Sequence, residues 1–178
     1  GIPEGSDLCL TPLSAPENHY FRIKAASRLD ANGKLTGSFT VEAEGLSDAS
    51  ARRPFTTGMR ARVRAAIERE LLNISPQARL LSYDAGKNPA DYQQGPLSMT
   101  VRFEIPDYAA VGDGVMICQP IVKTGLYNSI YTFLRVSLTP ETRRYAFKDS
   151  TSRLVELDES ITLPAGSTLV GKPYEAEA

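Results

Sequence analysis

The stretch that decides the fold is FRIKAASRLDANGKLTGSFTVEA, residues 21–43. Apolar side chains alternate with polar ones in its first half, and the alternation resumes after the turn residues Asp30, Asn32 and Gly33. A period of two is typical of a strand with one buried face, and an Asn-Gly pair between two such runs predicts a tight hairpin. The predicted buried positions are Phe21, Ile23, Ala25, Leu29, Leu35, Phe39, Val41 and Ala43.

The chain after residue 77 returns to short alternating runs. The clearest is 97–105, in which every second residue is apolar. Further strands are predicted at 80–83, 115–122, 130–138, 144–147, 154–157 and 161–163, with a polar loop at 87–95 and a turn at 112–114. Many short strands with few helices favour a mainly β fold, a β-sandwich of which a jelly roll is one form. An open α+β sheet with a helix across one face is the alternative.

One amphipathic helix is predicted near residues 56–74 and is expected to pack against the sheet. Its apolar residues recur every three or four positions, at Met59, Val63, Ile67, Leu71 and Ile74. Thr56 or Thr57 can cap its start, and Pro76 ends it. The opposite face is predicted to be solvated and carries Arg60, Arg62, Arg64, Glu68 and Arg69. The preceding residues, 45–54, are predicted to form a loop.

Length and composition predict a single globular domain. The chain has 178 residues, of which 42% are hydrophobic and 23% are charged. We expect an extended lead-in at 1–18, one β-rich domain at 19–172 and a frayed or truncated tail at 173–178. The 20 basic and 21 acidic side chains give no bulk attraction to nucleic acid or anionic lipid. No apolar run approaches the roughly 20 residues that a membrane-spanning helix needs, so no membrane span is predicted.

Catalytic residues cannot be assembled into a complete site from this sequence. A cysteine nucleophile needs a nearby base, and His19 is the only histidine to serve Cys9 or Cys118. His19 is expected at the surface, and Cys118 lies in an apolar run where it is expected to pack. We expect two separate reduced thiols, with pairing in an oxidising compartment left open. We therefore predict no catalytic, cofactor-binding or metal-binding residue and no cofactor. A freestanding cysteine hydrolase is the alternative, and it requires His19 within hydrogen-bond reach of a thiol.

Two kinds of side chain could contribute to binding. The acidic residues lie beside turns and are predicted to be solvated: Glu156, Asp158 and Glu159 in one group, Asp107 and Asp113 in another. Aromatic rings could line a carbohydrate site, although most are expected to pack in the core: Tyr83, Tyr92, Tyr108, Tyr127, Tyr131 and Tyr145.

Three sets of segments together carry a resemblance to a known family. The first set is residues 1–5, 16–18 and the hairpin LDANGKLTG at 29–37. The second is Gly45, the pair Arg52-Arg53 and the helix that follows, and the third is RYAF at 144–147 with ITLPAG at 161–166. In this order they resemble the C-terminal region of bacterial multidomain proteins built around a transglutaminase-like, papain-related core.

The resemblance implies a β-rich domain of unknown function that follows such a core. Proteins of this family are typically exported by Gram-negative bacteria, notably Bacteroidetes, and are often classed as proteases, which implies a periplasmic or cell-surface location. Their catalytic cysteine, histidine and aspartate belong to the core, so none is carried over to this chain. The leading expectation is a non-catalytic accessory domain that packs on the transglutaminase-like core of its parent chain and exposes an apolar or arginine-bearing patch. The alternative is an envelope glycan- or peptide-binding module with a tyrosine-lined groove.

Overall fold

The computed structural model describes residues 14–55, 60–86, 88–127 and 152–170. Its helices and strands, in chain order, are β1 (Tyr20–Leu29), β2 (Leu35–Ala43), α1 (Gly45–Arg52), α2 (Arg60–Ile74), β3 (Arg79–Asp84), β4 (Leu97–Ile105), β5 (Ala110–Gly112), β6 (Val115–Ile117) and β7 (Leu154–Thr162). Four short 3₁₀ turns accompany them, at Pro16–His19, Arg53–Phe55, Tyr92–Gln94 and Ile121–Lys123.

Five of the strands form one mixed sheet in the order β3-β4-β2-β1-β7, and β5 pairs with β6 in a separate ribbon. All pairs in the large sheet are antiparallel except β1 with β7. The predicted hairpin is confirmed, with Leu29 opposite Leu35. Its turn is closed by the Asp30 carboxylate, which accepts hydrogen bonds from the backbone N–H groups of Asn32 and Lys34, both at 2.9 Å.

The core lies on one face of this sheet, as the alternation predicted. Every predicted apolar position of β1, β2 and β4 is buried. The helix α2 contributes the predicted stripe from Val63 through Ile67 to Leu71 to the same buried cluster, and it ends at Ile74. The capping threonines and Met59 lie outside the described residues. The opposite face of the sheet is polar, with Thr40 and Thr100 hydrogen-bonded across β2 and β4 at 2.9 Å.

The mainly β prediction with a helix packed against the sheet is confirmed. In the described residues, the architecture is one open sheet with helices on its apolar face and a small ribbon at its end. The two-sheet sandwich stays a prediction, because the strands predicted at 130–138 and 144–147 lie outside the described residues. The same holds for most of the lead-in and for the tail at 173–178.

Four predictions of local structure were wrong in detail. Residues 45–54 are not a loop: they form α1 and the start of a 3₁₀ turn. The strand predicted at 115–122 stops at Ile117, since Pro120 has no N–H to donate and a 3₁₀ turn follows it. The two strands predicted at 154–157 and 161–163 are one continuous strand, because β7 pairs with β1 along its whole length. The 3₁₀ turn Pro16–His19 also replaces the end of the extended lead-in.

Candidate functional site

An apolar cleft of about 680 Å³ lies at the end of the sheet where β1 and β7 finish. One wall is the ribbon strand β6 with Gly114 and Cys118, the other is the segment 163–170 that follows β7, and Leu29 forms part of the floor. Several of its side chains are unusually exposed for their type: Ile117 is 69% exposed, Leu169 81% and Val170 94%. A cleft of this size falls in the range of about 300–1,000 Å³ that binding sites occupy.

The ribbon that forms the first wall is fixed to the sheet by local backbone chemistry. Asp113 and Gly114 have φ angles of 50° and 76°, the left-handed pair that a two-residue type I′ hairpin turn requires. At the base of the ribbon, the Ala109 N–H donates to the Gly33 carbonyl at 2.9 Å. The Tyr108 hydroxyl donates to the Gln119 carbonyl at 2.6 Å on the other side. The turn predicted at 112–114 is therefore confirmed, and it presents β6 to the cleft.

Beside this wall, Glu159 forms a partly buried polar cluster with Tyr108 and Cys118. Its carboxylate accepts the backbone N–H of Val122 at 3.1 Å. Burial raises the pKa of Glu159 above its ordinary value, and the backbone N–H groups of Val122 and Ile121 oppose that rise. Burial, and then the nearby Glu159 carboxylate, raise the pKa of Tyr108 to about 12. The Tyr108 phenol therefore loses its proton only at a higher pH than an ordinary tyrosine does.

Cys118 does not have the environment of a nucleophile. Burial and then the Glu159 carboxylate raise the pKa of its thiol, which is the reverse of the shift that activates a cysteine. Its expected packing role is consistent with its half-buried position against the core. His19 directly precedes β1, which is about 30 Å long, whereas Cys118 shares the cleft with Leu29, the last residue of that strand. A Cys118–His19 dyad is therefore not formed, and Cys9 lies outside the described residues.

His19 has a structural role that the sequence did not indicate. It is half-buried rather than fully at the surface. Its Nδ1 atom accepts the Leu46 N–H at 3.2 Å, and its carbonyl accepts the Ser47 hydroxyl at 2.9 Å. The first of these bonds satisfies the free Leu46 N–H in the first turn of α1, whose preceding residue, Glu44, makes no side-chain cap. The imidazole thus acts as a helix cap supplied from a distant part of the chain.

The acidic group on β7 divides between the two faces of the sheet. Glu156 and Asp158 are exposed on the polar face, where Glu156 forms an ion pair with Arg22. Glu159 points to the opposite face, so its predicted solvated position was wrong. Neighbouring residues in a strand face opposite ways, and Glu159 stands opposite Ala25 in the register. Asp107 has a φ angle of 49° and is, like Asp113, a turn residue. In the part of the chain that the structure describes, no group of three or more histidine, cysteine or acidic residues could hold a metal ion.

The tyrosines considered for a carbohydrate site do not line this cleft. Tyr127 is buried in the core, with its ring centre 6.0 Å from that of Phe21 and 6.5 Å from that of Phe39. Tyr83 packs partly buried on β3, the strand at the far edge of the sheet. Tyr108 belongs to the polar cluster with Glu159. Tyr131 and Tyr145 lie outside the described residues, and nothing is described of the Tyr92 side chain.

The helix α2 presents its predicted basic face to solvent. Arg62, Arg64 and Arg69 are exposed, and Arg64 pairs with Glu68 at 2.8 Å, one turn along the helix. Glu70, which the sequence reasoning missed, accepts the Tyr127 N–H at 3.0 Å. Burial raises the pKa of Glu70. The hydrogen bond between Glu70 and the Tyr127 N–H holds Tyr127 in a left-handed conformation with a φ angle of 51°.

A second group that sequence reasoning missed is the buried ion pair of α1. Arg52 and Asp48 are buried, and the Arg52 Nε atom lies 2.7 and 2.8 Å from the two carboxylate oxygens. The rest of the guanidinium donates to the carbonyls of Pro89, Asp91 and Gly95. Asp48 also accepts the Leu97 N–H at 2.9 Å. The only sequence signal for this pair is the four-residue spacing between Asp48 and Arg52. That spacing indicates an ion pair only if the segment is known to be a helix. The pair fixes the loop before β4 and is a structural site.

Substituting glutamine for Glu159 is expected to raise the free energy of unfolding at about pH 8 and to change it little at about pH 4. The folded-state pKa is raised above the ordinary 4.5, so the folded chain binds the proton more tightly than the unfolded chain does. The stability that this tighter proton binding contributes is fully present below pH 4.5. It is lost as the pH rises through the raised pKa of the folded state. Glutamine keeps an oxygen for the Val122 N–H and carries no charge. Urea unfolding of both proteins across this range tests the sign, and an undiminished pH slope in the variant contradicts it.

Comparison with protein-family models, curated proteins and solved structures finds no match to this chain. Among the helices of the described residues, none has the length and apolar character to cross a membrane. The functional assignment therefore depends on the cleft and on the sequence resemblance.

Proposed function

We propose that this chain is a non-catalytic accessory β-domain of a larger, exported transglutaminase-like protein, and that the apolar cleft docks on the core of that protein. The observation that supports docking is the exposure of Val115, Ile117, Leu169 and Val170 around one cleft. Exposed apolar side chains that are scattered singly need no explanation, but a contiguous group around a concave surface is typical of an interaction site. Sequestering them from water would stabilise the docked state.

The identity of the partner comes from the resemblance described above. Two segments that contribute to it also contribute to the cleft lining, through Leu29 of 29–37 and through residues 163–166 of 161–166. We place the protein in the periplasm or at the cell surface of a Gram-negative bacterium on the same ground. The partner would be the transglutaminase-like core of the parent chain, with the catalytic residues located there.

The alternative envelope module is less well supported for glycans than for peptides. A glycan site needs aromatic faces together with convergent polar groups. The described lining of the cleft is aliphatic, with glycine, proline, serine, threonine and one thiol, and it includes no tyrosine. Such a lining suits an apolar stretch of polypeptide.

The complete reading frame of the gene tests the setting. We expect a papain-related core with its cysteine, histidine and aspartate to be encoded before Gly1. A stop codon or a signal peptide directly before Gly1 contradicts the proposal, because no core of the same chain would then exist.

The docking surface can be tested in the parent protein with Ile117→Asp. A carboxylate buried in an apolar interface would lack a partner, so docking is expected to weaken by about tenfold or more. Protease sensitivity of the interdomain region measures the undocked population. Leu81→Asp is the matched control, since Leu81 is 51% exposed on β3 and does not line the cleft. Equal protease sensitivity of the two variants contradicts docking through the cleft.

A further inference from the structure

The apolar cleft runs along a backbone edge of β6 rather than across a side-chain face. Its lining includes the five consecutive residues 114–118 and the eight consecutive residues 163–170. Adjacent residues of an extended chain project to opposite sides, so only alternate residues would line a cleft that ran across a face. The uninterrupted run on β6 means that the cleft runs alongside that strand, whereas the opposite wall contains a turn in which the Ser167 N–H donates to the Pro164 carbonyl at 3.1 Å. The cleft is therefore a slot along one extended wall, the strand β6.

This edge of β6 has an open backbone position at Met116. The strand β6 pairs with β5 in the register Ala110 to Ile117, Val111 to Met116 and Gly112 to Val115. Residues that flank a two-residue hairpin turn form a hydrogen-bonded pair, and such pairs alternate with non-bonded ones along an antiparallel ladder. Val115 and Ile117 therefore bond to β5. The N–H and carbonyl of Met116 point the other way, and no described strand pairs with that edge.

The two segments that form the walls of the cleft carry no basic residue. Residues 106–120 contain Asp107 and Asp113 and no basic residue, and residues 163–170 contain no charge. Asp113 is exposed in the turn at the tip of the ribbon. A strand bound along β6 would therefore end beside a carboxylate, where a lysine or arginine on that strand would be attracted.

We propose that the cleft binds an extended polypeptide segment with alternating apolar residues and a basic residue at one end, added as a third strand to the β5–β6 ribbon. Main-chain hydrogen bonds to Met116 supply part of the affinity, and the side chains of Val115 and Ile117 meet the apolar residues of the segment. This inference rests on the proposed function for the source of the segment, which would be the transglutaminase-like core.

The proposal can be tested with a labelled peptide, acetyl-Lys-Val-Thr-Val-Thr-Val-Lys-amide, titrated with the whole chain by fluorescence anisotropy. Saturable binding is expected. Methylating alternate backbone nitrogens removes the donors that a strand needs at an edge, so this peptide should bind about tenfold more weakly. Glutamate in place of both lysines should also weaken binding, and added salt should reduce the difference. Ile117→Asp should reduce affinity for the parent peptide by about tenfold, and Leu81→Asp should leave it unchanged.

Two results would overturn the inference. Equal binding of the methylated and unmethylated peptides would exclude strand addition while leaving the cleft as a docking surface. No saturable binding of the parent peptide would exclude this class of occupant. Neither result bears on whether a transglutaminase-like core is encoded with this chain, so the two proposals fail separately.

Discussion

Replacing Arg52 with methionine is expected to lower the free energy of unfolding by about 3–5 kcal/mol. Methionine has a similar reach but no charge, so Asp48 would be left as a buried carboxylate without its partner. The carbonyls of Pro89, Asp91 and Gly95 would lose their donors at the same time. Removing one member of a buried, hydrogen-bonded ion pair costs much more than the pair contributes as a whole.

Urea unfolding of two further variants isolates this effect. Arg64→Met breaks an ion pair of the same spacing on the exposed face of α2, and it should cost at most about 0.5 kcal/mol. Adding Asp48→Asn to Arg52→Met should cost less than the sum of the single changes, because it removes the unpaired charge. A loss from Arg52→Met no larger than that from Arg64→Met contradicts the buried arrangement.

Replacing Phe39 with alanine is expected to destabilise the fold by about 3–5 kcal/mol. Phe39 is 1% exposed near the middle of β2, and its ring centre lies 5.9 Å from that of Phe103 and 6.5 Å from that of Tyr127. Alanine would remove the buried apolar surface of Phe39 and leave a cavity. The rings of Phe103 and Tyr127 could fill this cavity only in part. The loss should appear as a lower urea midpoint with an unchanged slope.

The neighbouring residue provides the control for this prediction. Ser38 lies on the polar face of the same strand, so Ser38→Ala should change the free energy of unfolding by no more than about 0.5 kcal/mol. Similar losses from the two substitutions would contradict the assignment of faces, because a shift of one residue in register exchanges them.

The elements that sequence reasoning predicted well are those whose signal is local. The hairpin around Gly33, the strand 97–105 and the stripe from Val63 to Leu71 each repeat an apolar residue at a fixed period. Periodicity depends only on the backbone geometry of the element itself, and one buried face then follows from the hydrophobic effect. The mainly β fold could be predicted for this reason.

The features that it missed depend on contacts between distant residues. The first turn of α1 is completed by His19, and its Arg52 meets a loop about forty positions away, so no local pattern marked that helix. Glu159 was misplaced because β7 was divided into two strands. In a single strand, Glu159 lies an even number of positions from Val155 and Ile161. This spacing would have placed Glu159 on the core face. The cleft brings together 114–118 and 163–170, and pairing of that kind cannot be deduced from either segment alone.

The proposed docking is tested most directly by hydrogen exchange at Met116, compared between this chain alone and the parent protein. The Met116 N–H points away from β5 at the unpaired edge of β6, whereas the N–H groups of Val115 and Ile117 bond to β5. We predict that exchange at Met116 slows by about tenfold or more in the parent protein, while exchange at Val115 and Ile117 is protected in both. An unchanged Met116 rate in a parent protein that contains the core would contradict docking at this edge.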